Sequence, residues 1–459
     1  MNVSIFKIIL IIFKKKICES FKIIVFIVNA IICTSTSVFS QPFPYYQEYL
    51  NRLQKGENVN SIINQIKNGD IDILNTFLPK PVKWDNGTIP KVAVKLINKA
   101  NKLNLSEHPY WLRLLHYKST HKNGEGSEII SKNFFLAEDG MINPKSELEK
   151  TIASFFVNDV NNHDNHAKCR FIARYEWLSS KLNFNHFDFP NIKCKSFIKW
   201  IGKNQIINLK LVFVSSYLEN PGSLFGHLLL RIDAKDGIFS PLMLNTTLNY
   251  GAIVPQNENP FAYIYNGIFG NYKSQFSDER FHMFDNMYGE KELRDMWEYN
   301  LNLSDDQKKR IVYHAWELIH GVQFDYYFFK ENCAYRIAEL IDMGWENNKI
   351  LNKNKLWSSP IEVLLKHSNT KINDKPILYE EPELLMSRLT KLNHRIKYVS
   401  KQEKNIINHL YNDYEYIDNA NFKELKDNKI ALILDVYFDY IQIYPKTKNK
   451  ENESKNINY

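Results

Sequence analysis

The chain has 459 residues and a mass of 54.2 kDa, with 59 Lys and Arg against 51 Asp and Glu for a net charge of +8. That length allows two or three domains and a substantial buried core, so size does not exclude an enzyme. The charge excess is mild and gives no indication of nucleic-acid binding, although it suits an anionic membrane surface.

Residues 1–40 have the composition of an export signal. Lys7 and Lys14 to Lys16 precede an apolar stretch from Phe21 to Cys33, and Val38-Phe39-Ser40 before Gln41 offers a cleavage site. The rival reading is an uncleaved anchor, but Phe21 to Cys33 is short against the ~20 apolar residues that span a bilayer. Lipidation at Cys33 is disfavoured by the bulky Ile32 before it. Five basic residues and one acidic residue leave with this leader, which lowers the net charge by four to +4.

From residue 41 to 165 the apolar spacing predicts a helical N-terminal domain, with helices over Tyr45 to Lys55, Val59 to Asn68 and Lys91 to Asn104. Trp111, Leu112, Leu114, Leu115 and Tyr117 form a further stripe. Pro144 opens a helix whose Leu148, Ile152, Phe155 and Phe156 share one side. Residues 166–207 read as a connector holding Cys169 and Cys194. Beyond the leader only Cys333 remains as a third cysteine, and in an oxidising compartment the arithmetic favours a Cys169–Cys194 bridge that leaves Cys333 free. The alternative is three reduced, buried cysteines.

Residues 208–375 change texture. Leu209, Leu211 and Phe213 alternate with Lys210, Val212 and Val214 at the period of a strand, and Gly226 to Asp233 continues it after a turn at Asn220-Pro221-Gly222. His227, Leu229 and Arg231 then share one face. A third strand is expected between Pro241 and Ala252. Ser304 with Gln307 has capping-box spacing for a helix that stops near Gly321, and a second helix starts around Asn332, with Cys333 in its first turn. Residues 376–444 are expected to be helical, including Ile430 to Tyr444, and 445–459 to be a disordered tail.

Cys333 at a helix start is the leading chemical candidate. Backbone N–H groups and the helix dipole favour a thiolate there, and the same N–H groups can hold the oxyanion of a tetrahedral intermediate. His227, on a strand, is the candidate base, and Asn249, with Asn245 and Tyr250 behind it, is the candidate third group that orients the imidazole. A Cys and a His so placed are also compatible with a purely structural role. Tyr217 and the run Phe261 to Tyr272, from which Tyr263, Tyr265 and Phe269 are singled out, are candidate substrate contacts, the run being read as a glycine-punctuated aromatic loop lining an acyl-chain groove. Ordinary core packing is the alternative. His163 and His166 match no standard zinc spacing, no metal or cofactor is expected, His314 and His320 belong to a helix, and His282 is a reserve base. Glu290, Glu292, Arg294, Asp295 and Glu298 read as a charged helix face.

The blocks Ser215 to Asp233, Asn249-Tyr-Gly-Ala252, Arg294 to Tyr299 and Asn332-Cys-Ala-Tyr-Arg336 resemble the periplasmic domain of the bacterial Lnb family, whose founding members are lipoprotein N-acyltransferases. The similarity extends upstream through Trp111 to Tyr117 and Cys169 to Arg174. The resemblance implies an α+β fold, a circularly permuted papain-like core in which His precedes Cys, as in lecithin retinol acyltransferase relatives. It implies acyl transfer through a Cys333 thioester with His227 as base, a membrane lipid or lipoprotein as substrate, peripheral membrane contact and a periplasmic location. A cell-wall peptidase or amidase of the same fold, or a non-catalytic envelope module, are the alternatives.

Overall fold

The computed structural model describes residues 81–445 apart from 85–86, 118–125, 159–162, 203–205, 218–222, 224, 235–241, 256–257, 348–358, 373 and 379–380. The expected leader, the two helices before residue 70 and the tail after Pro445 lie outside these residues. The chain is α+β and divides into two compact units, one ending at Phe281 and resuming over Tyr299–Glu381, the other made of His282–Glu298 and residues from Pro382 on.

In the first unit helices α1 (Lys91–Lys102), α2 (Pro109–Leu114), α3 (Pro144–Ser154) and α4 (Ile172–Leu182) precede the sheet. Pro at the first helical position and a capping side chain, His108 for α2 and Asn143 for α3, fix two of these starts. Strands β1 (Ile206–Val214), β2 (His227–Ala234), β3 (Thr246–Ala252), β4 (Tyr272–Arg280) and β5 (Gln323–Tyr326) form antiparallel neighbours in the order β5-β4-β3-β2-β1. The first six residues of β2, His227 to Ile232, are all buried, so both faces of this central strand are covered. Leu228, Leu230 and Ile232 belong to one hydrophobic core with Trp111, Leu114, Leu148, Phe155 and Leu178 from the helices. The helical segment therefore shares a core with the sheet, and residues 166–207 contribute helices to it.

Two stretches differ from their sequence reading. Pro260–Phe269 is a helix, α5, where a loop was expected. Asn259 caps it through Phe261 N–H, Pro260 starts it, and Gly270 ends it at φ 78°, where a Cβ would run into the Tyr327 ring. Helix periodicity is hidden in the sequence because the segment has no polar face. The acidic stretch around Glu290 is likewise no exposed helix face. A π-helical turn covers Asp285–Lys291, a strand follows at Met296–Asn300, and Arg294 and Glu298 are buried, Arg294 on Glu292 Oε2 at 2.7 Å and over the Tyr288 ring.

The second unit packs its own core from Leu392, Ile407, Leu410, Ile433 and Val436. Its helices are Arg388–Arg395, Lys401–Asn412 and Asp427–Ile443, and Met296–Glu298 pairs antiparallel with Glu383–Leu385.

Candidate active site

Helix α6 (Asp305–Leu318) opens with the Ser304–Gln307 capping box, and α7 (Cys333–Asp342) begins at the cysteine itself. Asn332 is the N-cap of α7: its Oδ1 accepts from the N–H groups of Ala334 and Tyr335 at 3.1 and 3.2 Å, and its Nδ2 donates to the Phe328 carbonyl at 3.0 Å. A cap of this kind contributes about 1 kcal/mol. It also fixes where the helix starts, which places the sulfur at the end where the dipole favours an anion.

The imidazole comes from the first residue of β2. Gly226 immediately before it has φ 87°, and a Cβ there would lie 2.7 Å from the Phe213 ring and the Val214 carbonyl, so only glycine leads the chain into His227 this way. The β2–β3 register pairs Leu230 with Leu248 and Arg231 with Thr247. Extending that register sets His227 opposite Gly251 and diagonal to Asn249 on the same face, and the absent side chain at Gly251 leaves the ring room to lean. His227 Nε2 lies 2.6 Å from Asn249 Oδ1. An amide oxygen accepts, so Nε2 carries the proton and Nδ1 is left for the thiol.

His227 hydrogen-bonds the Cys333 side chain, and the N–H groups of Leu228 and Ala334 also donate to the sulfur. Burial pushes the thiol up, but the imidazole beside it, their hydrogen bond and these two N–H groups outweigh burial and hold it below its ordinary value. Cys333 is 4% exposed and His227 8%. Cys169 and Cys194 are disulfide-bonded with Cα atoms 5.1 Å apart, and Cys333 is the free cysteine among the described residues.

The other candidates separate. Asn245 donates to Asp233 Oδ1 at 2.8 Å, and the Tyr250 hydroxyl bonds Ser274 Oγ. Tyr263 is buried against Tyr272 and Phe328, Tyr217 is half-buried, and Tyr265 and Phe269 stand on the outer face of α5. His166 caps a short helix through Lys168 N–H and bonds the Val157 carbonyl, while His163 accepts from Lys193 N–H. His320 bonds the Trp316 carbonyl at 2.6 Å, and His282 is exposed.

Sequence reasoning missed two features. Tyr326, at the end of β5, receives the Cys333 N–H on its phenol oxygen; it lies in the run Asp325-Tyr-Tyr-Phe-Phe329, where nothing in the spacing distinguishes one aromatic from the next. The second is a buried polar chain beneath α7. Arg336 Nη1 contacts Glu339 and Glu128 at 2.7 and 2.8 Å, Glu339 contacts His116 Nδ1 at 3.1 Å, and His116 Nε2 lies 3.0 Å from His314 Nε2. His314 Nδ1 meets Glu317, whose other oxygen accepts from Arg174 N–H, and Arg174 Nη1 pairs with Glu147 at 2.7 Å. The ligand atoms of His116, Glu128 and Glu339 lie within 4.8 Å of one another, close enough for a metal ion, but the Arg336 guanidinium already supplies the cation there.

Residues 196–367 match the family model of the Lnb N-terminal periplasmic domain. This segment is an Lnb N-terminal periplasmic domain. It contains His227, Asn249, Tyr326 and Cys333, and the family supports a periplasmic location for an envelope-associated protein. Residues 103–181 match a second model, a domain of unknown function (DUF7843). That segment supports the Lnb domain physically. Its Tyr110 hydroxyl donates to the Met343 carbonyl at 3.2 Å, and Arg113 donates to the carbonyls of Asp342, Trp345 and Glu346 at 3.3, 2.6 and 2.6 Å, placing a cation at the C-terminal end of the cysteine helix. No curated protein and no solved structure matches the chain. No helix among the described residues is long and apolar enough to cross a membrane.

Proposed function

We propose that the protein is an exported cysteine-dependent acyl-transfer enzyme, with Cys333 as nucleophile, His227 as base and Asn249 as the group that orients the imidazole. The observation that carries this reading is the placement of His227 between the Cys333 thiol and Asn249 Oδ1, at the capped start of α7. In the reaction the Cys333 sulfur attacks an acyl carbonyl, His227 holds the thiol proton, and collapse of the tetrahedral intermediate returns that proton to the departing alcohol or amine. A thioester remains. An incoming amine or water then takes the acyl group while His227 receives its proton, which regenerates the thiol. The order of His before Cys fits a permuted papain-like core.

A lipoprotein N-acyltransferase-like substrate is supported by the Lnb domain and by α5. None of the ten residues of α5 is charged, and Phe261, Tyr265 and Phe269 stand on one stripe at 63, 58 and 60% exposure. Aromatic side chains on an uncharged helix face suit contact with the headgroup region of a lipid surface. Tyr265 and Phe269 then touch the substrate's membrane, and Tyr263, buried against Tyr272 and Phe328, supports α5 from behind. Intact mass after incubation with phospholipid or a diacylated lipopeptide tests the reading: the expected result is an acyl adduct on Cys333 that Cys333→Ala lacks. Cleavage of peptidoglycan fragments without an adduct would replace the transferase by a peptidase.

A further inference from the structure

Beyond the Cys333, His227 and Asn249 trio, a nucleophile that passes through a tetrahedral intermediate needs two donors at the developing oxyanion. The Cys333 N–H is the obvious first, being the first N–H of α7 and outside its hydrogen-bond ladder. In the resting site that N–H donates to the Tyr326 phenol oxygen. The phenol oxygen thus lies beside the place where an oxyanion bound to Cys333 N–H would form, and its own O–H is a donor toward that point.

The ring is held firmly. Tyr326 is the last residue of β5, paired with Tyr272 on β4, and its ring stacks on Tyr250 at 6.1 Å and meets Phe328 edge-on at 5.8 Å. Burial, followed by the neighbouring Cys333 charge, raises its acidity constant well above the ordinary phenol value, so the hydroxyl keeps its proton throughout the working pH range. The loop from Tyr326 to Cys333 is tied to α5 by Phe328 N–H donating to the Gly267 carbonyl at 2.8 Å, and to the helix cap by Asn332. Strand end, loop and helix start therefore form one frame that carries both donors.

We propose that Tyr326 is the second oxyanion donor, a catalytic residue whose O–H and the Cys333 N–H converge on the acyl oxygen. This rests on Cys333 being the nucleophile. When the substrate carbonyl enters, its oxygen takes the N–H from the phenol oxygen and accepts the phenol O–H as the C–S bond forms and the carbonyl π pair moves onto oxygen. On collapse the pair returns, the leaving group departs with the proton held by His227, and the N–H reverts to the phenol. No proton leaves Tyr326, and no other reactant is required.

Tyr326→Phe, which keeps the ring packing, tests this with two reagents on the full chain. Acylation by p-nitrophenyl butyrate passes through an oxyanion, whereas alkylation by iodoacetamide does not. The expected result is a loss of about 100-fold in Cys333-dependent nitrophenolate release, with the alkylation rate and its pH profile within about 3-fold of wild type, an order-of-magnitude allowance for altered packing. Unchanged or faster acylation by Tyr326→Phe overturns the proposal, the phenol then being a plug. Equal loss in both reactions overturns it too, in favour of a structural role. Equal release by wild type and Cys333→Ala overturns the underlying nucleophile reading, and the Tyr326 assignment with it.

Discussion

Arg174→Met removes the guanidinium from a fully buried site. Arg174, Glu147 and Glu317 all have fully buried side chains. Arg174 Nη1 pairs with Glu147, Nη2 donates to the Phe134 carbonyl at 3.0 Å, and the guanidinium carbon lies 4.2 and 4.0 Å from the Phe134 and Phe171 ring centres. Methionine fills most of the volume and keeps contact with the rings, but it leaves the Glu147 carboxylate without its cation, while Glu317 keeps Arg170 and His314 beside it. Breaking a buried pair from one side costs about 3–5 kcal/mol. At about 2–4 °C per kcal/mol this lowers the melting temperature by roughly 6–20 °C. The double variant Arg174→Met with Glu147→Gln removes both charges, while the Gln oxygen still accepts from the Leu136 and Ala137 N–H groups that Glu147 now holds at 2.8–3.0 Å. Recovery of at least about half of the loss is expected, because a pair removed from both sides leaves less charge uncompensated. Thermal melting followed by circular dichroism measures both. If Arg174→Met melts within about 2 °C of wild type, the pair does not stabilise the fold and the reasoning fails.

His227→Ala removes the imidazole charge and its hydrogen bond from Cys333, leaving the Leu228 and Ala334 N–H groups against burial. Iodoacetamide alkylation followed against pH is expected to have its midpoint on the acid side of a free thiol in wild type and displaced to alkaline pH in the variant, with the neutral-pH rate down by up to about tenfold per pH unit of displacement; an unmoved midpoint refutes the ion pair. The Cys169–Cys194 bridge closes a loop of sequence separation 25. Cys169→Ser with Cys194→Ser is expected to lose about 3 kcal/mol in denaturant unfolding while Cys333 alkylation stays the same, and a lost Cys333 reactivity would tie the bridge to the site. Phe261→Ser with Phe269→Ser changes two exposed side chains, so melting should stay within about 2 °C while sedimentation with anionic phospholipid vesicles falls. Equal sedimentation removes the lipid-surface role of α5.

The local chemistry of the site was legible because each part is written in adjacent residues. Asn332 before Cys333 is a cap before a helix, Ser304 with Gln307 is a capping box, and the alternation through β1 and β2 sets His227 on a face. The matched Lnb segment lies where those motifs lie. Helix α5 was not legible, since a segment apolar on nearly every side has no periodic contrast, and its helix ends rest on Asn259, Pro260 and Gly270. The Glu290 region misled for the opposite reason: its charges imply a solvated face until the fold buries Arg294 and Glu298.

Residue order alone thus determined the strand that presents His227, the helix start that presents Cys333 and the cysteines available to pair, because period, caps and turn residues act over a few positions. Tertiary structure decided everything that depends on distance across the chain. It brought Asn249 within 2.6 Å of His227 through strand register, joined His116 to His314 across 198 positions, and set Tyr326 against the Cys333 amide. Those contacts are fixed by how the sheet packs on its helices, and no short-range pattern encodes them.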